Sequence, residues 1–152
     1  MEIRAPGPKD LEGLLALIAA LARFHGQEPA ATRESLGADV LGESPWVHVR
    51  LTEVEGVLAG YVAVLPLARF QFGQRGIDIH HLYVAEPWRG RGIGGALVSE
   101  ALRLGAALGA SYCTVTATPD NRAAQSFYAS LGFKDAPRFG ARFWTPIQPP
   151  KA

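Results

Sequence analysis

A chain of 152 residues with 48% hydrophobic content is the size of one domain and has enough apolar material for a core. Lys plus Arg is 15 and Asp plus Glu is 14, for a net charge of +1, which argues against a general nucleic-acid binder with its basic face. One cysteine, Cys113, excludes an internal disulfide, and no signal peptide, lipidation motif or apolar run of about 18 residues is visible, so a cytoplasmic protein without membrane attachment is expected.

The elements follow in chain order. Residues 2–6 read as a short edge strand ended by Pro6. Residues 10–26 place Leu11, Leu14, Leu15, Ile18 and Leu21 on one helical face, and Gly26 is a sensible stop. A polar, Pro-containing linker leads to a second, short helix at 32–42. Then the period changes. Residues 46–53 alternate, with Val47, Val49 and Leu51 on one side and Trp46, His48 and Arg50 on the other. Residues 56–67 form a more continuous apolar strand, expected to be covered on both faces. A loop over RFQFGQRG precedes the next strand, 77–84. Three strands with short links predict an antiparallel meander.

Leu97, Ala101, Leu104 and Leu108 then form a helical stripe, and 112–117 is a strand rich in β-branched residues. A strand, a crossover helix and a strand favour a parallel pair. A further helix starts at Asp120 or Asn121 and stops at Gly132. ARFWTPI, residues 141–147, reads as a last strand. The expected class is α/β (α+β): one domain over 1–152, a mixed, mostly antiparallel sheet with helices on both faces, in the order β-α-α-β-β-β-α-β-α-β.

The stretch between the third and fourth long elements carries the chemistry. In HHLYVAEPWRGRGIGG, residues 80–95, Arg89 and Arg91 flank Gly90, Gly92, Ile93, Gly94 and Gly95 at a helix start. Glycines let a ligand approach the backbone closely, and a helix N-terminus offers unpaired N–H groups and a positive dipole end. Phosphate is the natural partner of that arrangement. Read as G-x-G-x-x-G, the same residues fit a dinucleotide site. Against that, AEPWR separates the glycines from their strand, the unit comes late in the chain, and YCTVTATP supplies no acidic residue for a ribose.

Arg89-x-x-Gly92-x-Gly94 resembles the acetyl-CoA pyrophosphate loop of the GNAT N-acetyltransferase superfamily. NRAAQSFYASLGF resembles its second signature through Asn121, Ala124, Phe127, Tyr128, Gly132 and Phe133. The derived element order is that of the superfamily over nearly the whole chain, and LIAALARFHGQE together with HHLYVAEPWRGRGIG is more loosely similar to the diamine and thialysine N-acetyltransferase branch. The resemblance implies acetyl-CoA as co-substrate, a small amine as acceptor, no metal, and a homodimer. Four His and one Cys without ligand spacing also give no metal cluster.

Direct transfer of acetyl from a thioester to a primary amine sets three tasks. An amine with a pKa near ~10 must lose a proton, the carbonyl must be polarised, and the leaving thiolate must be protonated or stabilised. For the last, the resemblance points to Tyr128 as general acid. Transfer from an ordinary phenol to a thiolate is uphill by only about 2 kcal/mol. For polarisation it points to a backbone N–H of Tyr83 or Val84, on a strand 77–84 that splays from strand 112–117 and frees Leu82, Tyr83 and Val84 for the pantetheine arm. Asn121 would hold that arm from the other side, with Ala124 and Phe127 beside it, although Asn121 is equally a helix N-cap and Phe127 equally a core aromatic.

Polyamine-acetylating relatives carry Glu-Asp where this chain has His80-His81. Adjacent strand residues face opposite sides unless a bulge intervenes. His80 is then the candidate base and His81 a substrate contact. Glu28 is placed at the substrate, Asp78 and Glu86 are further possible carboxylates, and His25 is a possible lining residue. Two other functions stay open: acetylation of a peptide or protein amino group, and a non-catalytic acyl-CoA sensor.

Overall fold

The computed structural model describes residues 1–136 and 141–151. Its strands are β1 (Glu2–Arg4), β2 (His48–Val54), β3 (Val57–Arg69), β4 (Gln74–Val84) and β5 (Tyr112–Val115). Its helices are α1 (Leu11–Phe24), α2 (Arg33–Val40), α3 (Ile93–Ala107) and α4 (Arg122–Ser130). The chain forms two compact units, Met1–Thr116 and Ala117–Ala152.

In the first unit the five strands form one sheet in the order β1-β2-β3-β4-β5. The first three pairings are antiparallel and β4 pairs β5 in parallel, as the meander and the crossover helix predict. Period two sorts the side chains. Val49, Leu51, Tyr61 and Ala63 turn to the face covered by α1 and α2, where they pack with Leu11, Leu14, Leu17, Leu21, Leu36 and Val40. Val62, Val64, Ile77 and Ile79 turn to the other face, where α3 brings Ile93, Leu97, Val98, Ala101 and Leu104. Residues 59–64 are buried without interruption because both faces are covered. Gly105 lets α3 lie against Ile77, since a methyl there would come within 2.7 Å of Ile77 Cδ1.

Polar contacts fix the entries and edges. The Arg4 guanidinium donates to Asp10 at 2.7 Å and to Glu53 at 2.6 Å, tying β1 to the turn before α1 and to β2. That contact holds the Asp10 carboxyl down at about 2 despite burial. Thr32 caps α2 in a reciprocal box with Ser35. Arg50 reaches from β2 to Glu100 on α3 at 3.1 Å, so the second side of β2 is packed under a helix.

Several expectations need correction. The α1 face uses Leu17, while Leu15 and Ile18 are half-buried at its margin. Half of the expected loop 69–76 is strand, because β3 runs to Arg69 and β4 begins at Gln74 on either side of a short turn at Phe70–Phe72. Residues 141–147 form no strand, so the described order ends at α4. Phe143, Trp144 and Ile147 there are 91%, 86% and 94% exposed. A strand is made by its pairing, and among the described residues none pairs with this one. Pro146, Pro149 and Pro150 also remove three backbone donors. No helix among the described residues is long and apolar enough to cross a membrane.

Candidate active site

The site in the first unit is built on β4. Ala63 pairs with His81, but Val64 pairs with Ile79, so His80 is an extra residue bulged out of the ladder. The bulge undoes the normal alternation. The rings of His80 and His81 stack with centroids 4.5 Å apart and planes 11° apart, both on one side of the sheet. His80 is exposed and His81 is half-buried. Nδ1 of His81 lies 3.0 Å from the hydroxyl of Tyr61, a fully buried residue of β3. Burial, and then the charges of His80 and His25, push the His81 imidazole down to about 4, so it is neutral at pH 7. Burial also raises the Tyr61 phenol above its usual value.

His25 follows α1 and is within electrostatic reach of His81, so three of the four histidines belong to one neighbourhood. His48 lies on β2, and burial, followed by Arg50, lowers its pKa. Glu28 is exposed in the loop after His25. Asp78 accepts a 2.7 Å hydrogen bond from Thr114 across β4 and β5. Glu86 is exposed in the turn Glu86–Trp88.

The second half of β4 offers a free backbone edge. The parallel pairing with β5 runs from Gly76 to Ile79 and stops. On the other side, the Ala85 N–H donates to Ala59 O at 2.8 Å, which makes Ala85–Ala59 a hydrogen-bonded pair. By antiparallel alternation, Tyr83–Tyr61 is another such pair, while Val84–Gly60 and Leu82–Val62 point their N–H and C=O groups away from β3. The N–H of Tyr83 is therefore turned into the ladder, and those of Leu82 and Val84 face the splay. The Val84 carbonyl is taken by Arg89 Nε at 2.9 Å.

Beyond β4 the chain turns through Glu86–Trp88 into the Gly-rich segment. Gly90 has φ +75° and Gly92 has φ +79°, both left-handed. Gly92 caps α3 with no side-chain hydrogen bond, and its carbonyl accepts from Ala96. The N–H groups of Ile93, Gly94 and Gly95 fall in the first turn, where a helix supplies no acceptor. Arg89 lies over the Tyr83 ring at 5.7 Å and Arg91 over the Trp88 ring at 5.0 Å. Neither makes an ion pair among the described residues. Bare N–H groups, a positive dipole end and two guanidiniums without a carboxylate partner among the described residues have the chemistry an anion would need.

In the second unit Asn121 accepts a 3.1 Å bond from Ala124 N–H, so it is the N-cap of α4. Ala124 and Phe127 are half-buried. Tyr128 is half-buried and meets Phe127 and Phe133 edge-to-face at 5.2 and 5.5 Å. Among the described residues no group of three or more His, Cys, Asp or Glu is placed to hold a metal ion. Cys113 is half-buried, and burial followed by Asp78 pushes its thiol up to about 11, which makes it a poor nucleophile.

The family model for the acetyltransferase (GNAT) family matches residues 16–133, and the chain belongs to that family. It is thus an acetyl-CoA-dependent N-acetyltransferase that moves an acyl group to an amine, and the dinucleotide reading of the Gly-rich turn falls. Its relatives include thialysine N-epsilon-acetyltransferase of Bos taurus, 28% identical over 142 residues, covering 88% of this chain and 84% of that one. The same enzyme of Mus musculus is 24% identical over 88% of this chain and 84% of its own. Solved structures of the same fold include a ribosomal-protein-alanine N-acetyltransferase from Brucella melitensis, with TM-score 0.75 and 19% identity over 94% of this chain and 100% of that one. An aminoglycoside acetyltransferase from an uncultured soil sample has TM-score 0.76 and 23% identity over 97% of this chain and 98% of its own.

The sequence missed Tyr61. Its signal was present: a tyrosine inside an otherwise aliphatic run carries a hydroxyl that must find a partner when buried.

Proposed function

We propose that the chain transfers acetyl from acetyl-CoA directly to the primary amine of a small molecule, in a ternary complex and without a metal. The observation that carries this reading is the free edge of β4 at Leu82 and Val84. It lies in sequence between the stacked imidazoles and the anion site of Arg89, Arg91 and the first turn of α3. The pyrophosphate would take the N–H groups of Ile93, Gly94 and Gly95, with the freedom of Gly90 and Gly92 letting it approach. The pantetheine would continue the ladder along β4, and the Val84 N–H would polarise the thioester carbonyl.

His80 is the base. It is exposed, and its imidazole accepts the ammonium proton directly or through water. His81 is a substrate contact. Glu28 is retained as a contact to a second cationic group of the acceptor. Tyr128 protonates the departing thiolate, and Asn121, Ala124 and Phe127 contact the pantetheine; these four assignments rest on the resemblance of their segment. The thialysine relatives support a small aminoalkyl acceptor. A cytoplasmic homodimer is the setting this reading assumes.

The test is the pH dependence of kcat/KM for the wild type and His80→Ala. The acid limb of the wild-type profile should be carried by His80, and that limb should vanish in the variant. An unchanged profile removes His80 from the mechanism.

A further inference from the structure

Two histidines side by side raise the question of which takes the proton, and the answer comes from beneath the sheet face. Tyr61 is fully buried in β3, and its hydroxyl meets Nδ1 of His81 at 3.0 Å with the rings edge-to-face, centroids 6.0 Å apart and 72° between planes. Two proton arrangements satisfy that distance. In one, the phenol donates to a bare Nδ1. In the other, Nδ1–H donates to the phenol oxygen, and the phenolic proton then needs a second acceptor in the core. The hydrogen bonds of the described residues give Tyr61 none besides His81, and an unsatisfied buried donor costs about 1–3 kcal/mol. The first arrangement satisfies both groups with one bond. It requires the proton of the neutral imidazole to sit on Nε2.

We propose that Tyr61 is a positioning residue that divides the labour of the two histidines. Its hydroxyl fixes His81 as a neutral Nε2–H donor and leaves His80 as the imidazole of the pair that can accept a proton. Both nitrogens of His81 are then committed: Nδ1 accepts from Tyr61, and Nε2 donates toward the acceptor side. Stacked at 4.5 Å, the two rings are too nearly parallel to bond each other edge to edge. His81 instead presents a flat neutral face on which the bulged His80 rests, and a proton arriving on His80 meets a π surface instead of a second cation. Among the described residues the titratable groups near His81 are Tyr61 on β3, His80 on its own strand and His25 after α1, and none of them is a carboxylate. This division rests on the reading of His80 as base, but Tyr61's hold on His81 does not.

The test reads the histidine ring nitrogens of the full-length 15N-labelled protein by long-range 1H–15N correlation, assigned with His80→Ala and His81→Asn. The expected wild-type pattern for His81 is Nε2–H with bare Nδ1, unchanged from about pH 8 down to about pH 5.5. In Tyr61→Phe, which keeps the ring and removes only the oxygen, His81 should become a tautomer mixture. The amine KM should rise about three- to tenfold while the acetyl-CoA KM stays put. An Nδ1–H pattern in the wild type, or the same locked pattern in Tyr61→Phe, overturns the proposal. Should Tyr61→Phe fail to fold, the wild-type spectrum alone still decides the tautomer. A pH profile untouched by His80→Ala would sink the base assignment while leaving the tautomer result to stand on its own.

Discussion

Gly60→Ala is the most exacting test of the β4 edge. Gly60 sits opposite Val84, and a methyl there would lie 2.6 Å from the Tyr83 carbonyl oxygen, 3.2 Å from Val84 Cα and 3.4 Å from Val84 Cγ2. The obstacle is backbone, so no side chain can rotate away. Relieving the contact to an ordinary distance requires the strands to part by about 0.7 Å at the N–H assigned to the thioester carbonyl. Overpacking of this kind costs about 1–3 kcal/mol. At about 2–4 °C per kcal/mol for a chain of this size, Tm should fall by about 2–12 °C. Moving a polarising donor by a sizeable fraction of an ångström should lower kcat about ten- to hundredfold. The assays are a thermal melt and steady-state thiol release from acetyl-CoA. Gly7→Ala is the control, because its nearest non-neighbour atom is Asp10 Oδ2 at 3.6 Å, an ordinary contact. Gly60→Ala with wild-type Tm and full kcat would refute the packing argument and the place given to Val84.

Further outcomes are expected. Arg89→Ala and Arg91→Ala should each raise the acetyl-CoA KM about tenfold, the scale of one charge-assisted hydrogen bond, and leave the amine KM nearly unchanged; unchanged acetyl-CoA KM values would remove the anion site. Tyr128→Phe should cut turnover at least tenfold while acetyl-CoA binding, read by calorimetry, persists; turnover near wild type would remove Tyr128 as the acid. Asp10, held down at about 2 by Arg4, contributes stability that is present above the unfolded value near ~4 and is lost as pH falls toward 2. Discounted for the partial exposure of Arg4, that is about 1–2 kcal/mol, which an acid titration of the melt for Asp10→Asn against wild type would show as a vanished slope. His81, held near 4, refuses a proton that the unfolded chain takes up below about 6.5, so stability should also fall between those values, and His81→Asn should flatten that part of the curve.

The sequence made the scaffold legible because periodicity survives without tertiary context. The apolar run at 56–67 announced a strand covered on both faces, which holds over 59–64 but not at its exposed ends, and Asn121 announced a helix start that it caps. The Gly-rich turn was readable because positive φ at Gly90 and Gly92 leaves few residue choices. What pattern could not place depends on partners. ARFWTPI has the composition of a strand, but composition does not supply an edge to pair with. The Phe70–Phe72 turn was too short to break the hairpin around it, so the expected loop shrank to residues 70–73. The bulge was expected as the device that could turn both histidines to one side, and the register between Ala63 and Val64 shows it. Its link to Tyr61, 20 positions earlier, was invisible until the two strands were laid side by side.

The most direct measurement is thiol release from acetyl-CoA against a panel of diamines, polyamines, thialysine, amino acids, aminoglycosides and short peptides, with the acetylated product identified by mass spectrometry. Turnover confined to one class of small primary amine, giving its N-acetyl product and dependent on His80 and Tyr128, is the predicted result. Saturable acetyl-CoA binding with no turnover on any amine, or acetylation of the peptides alone, would contradict the account.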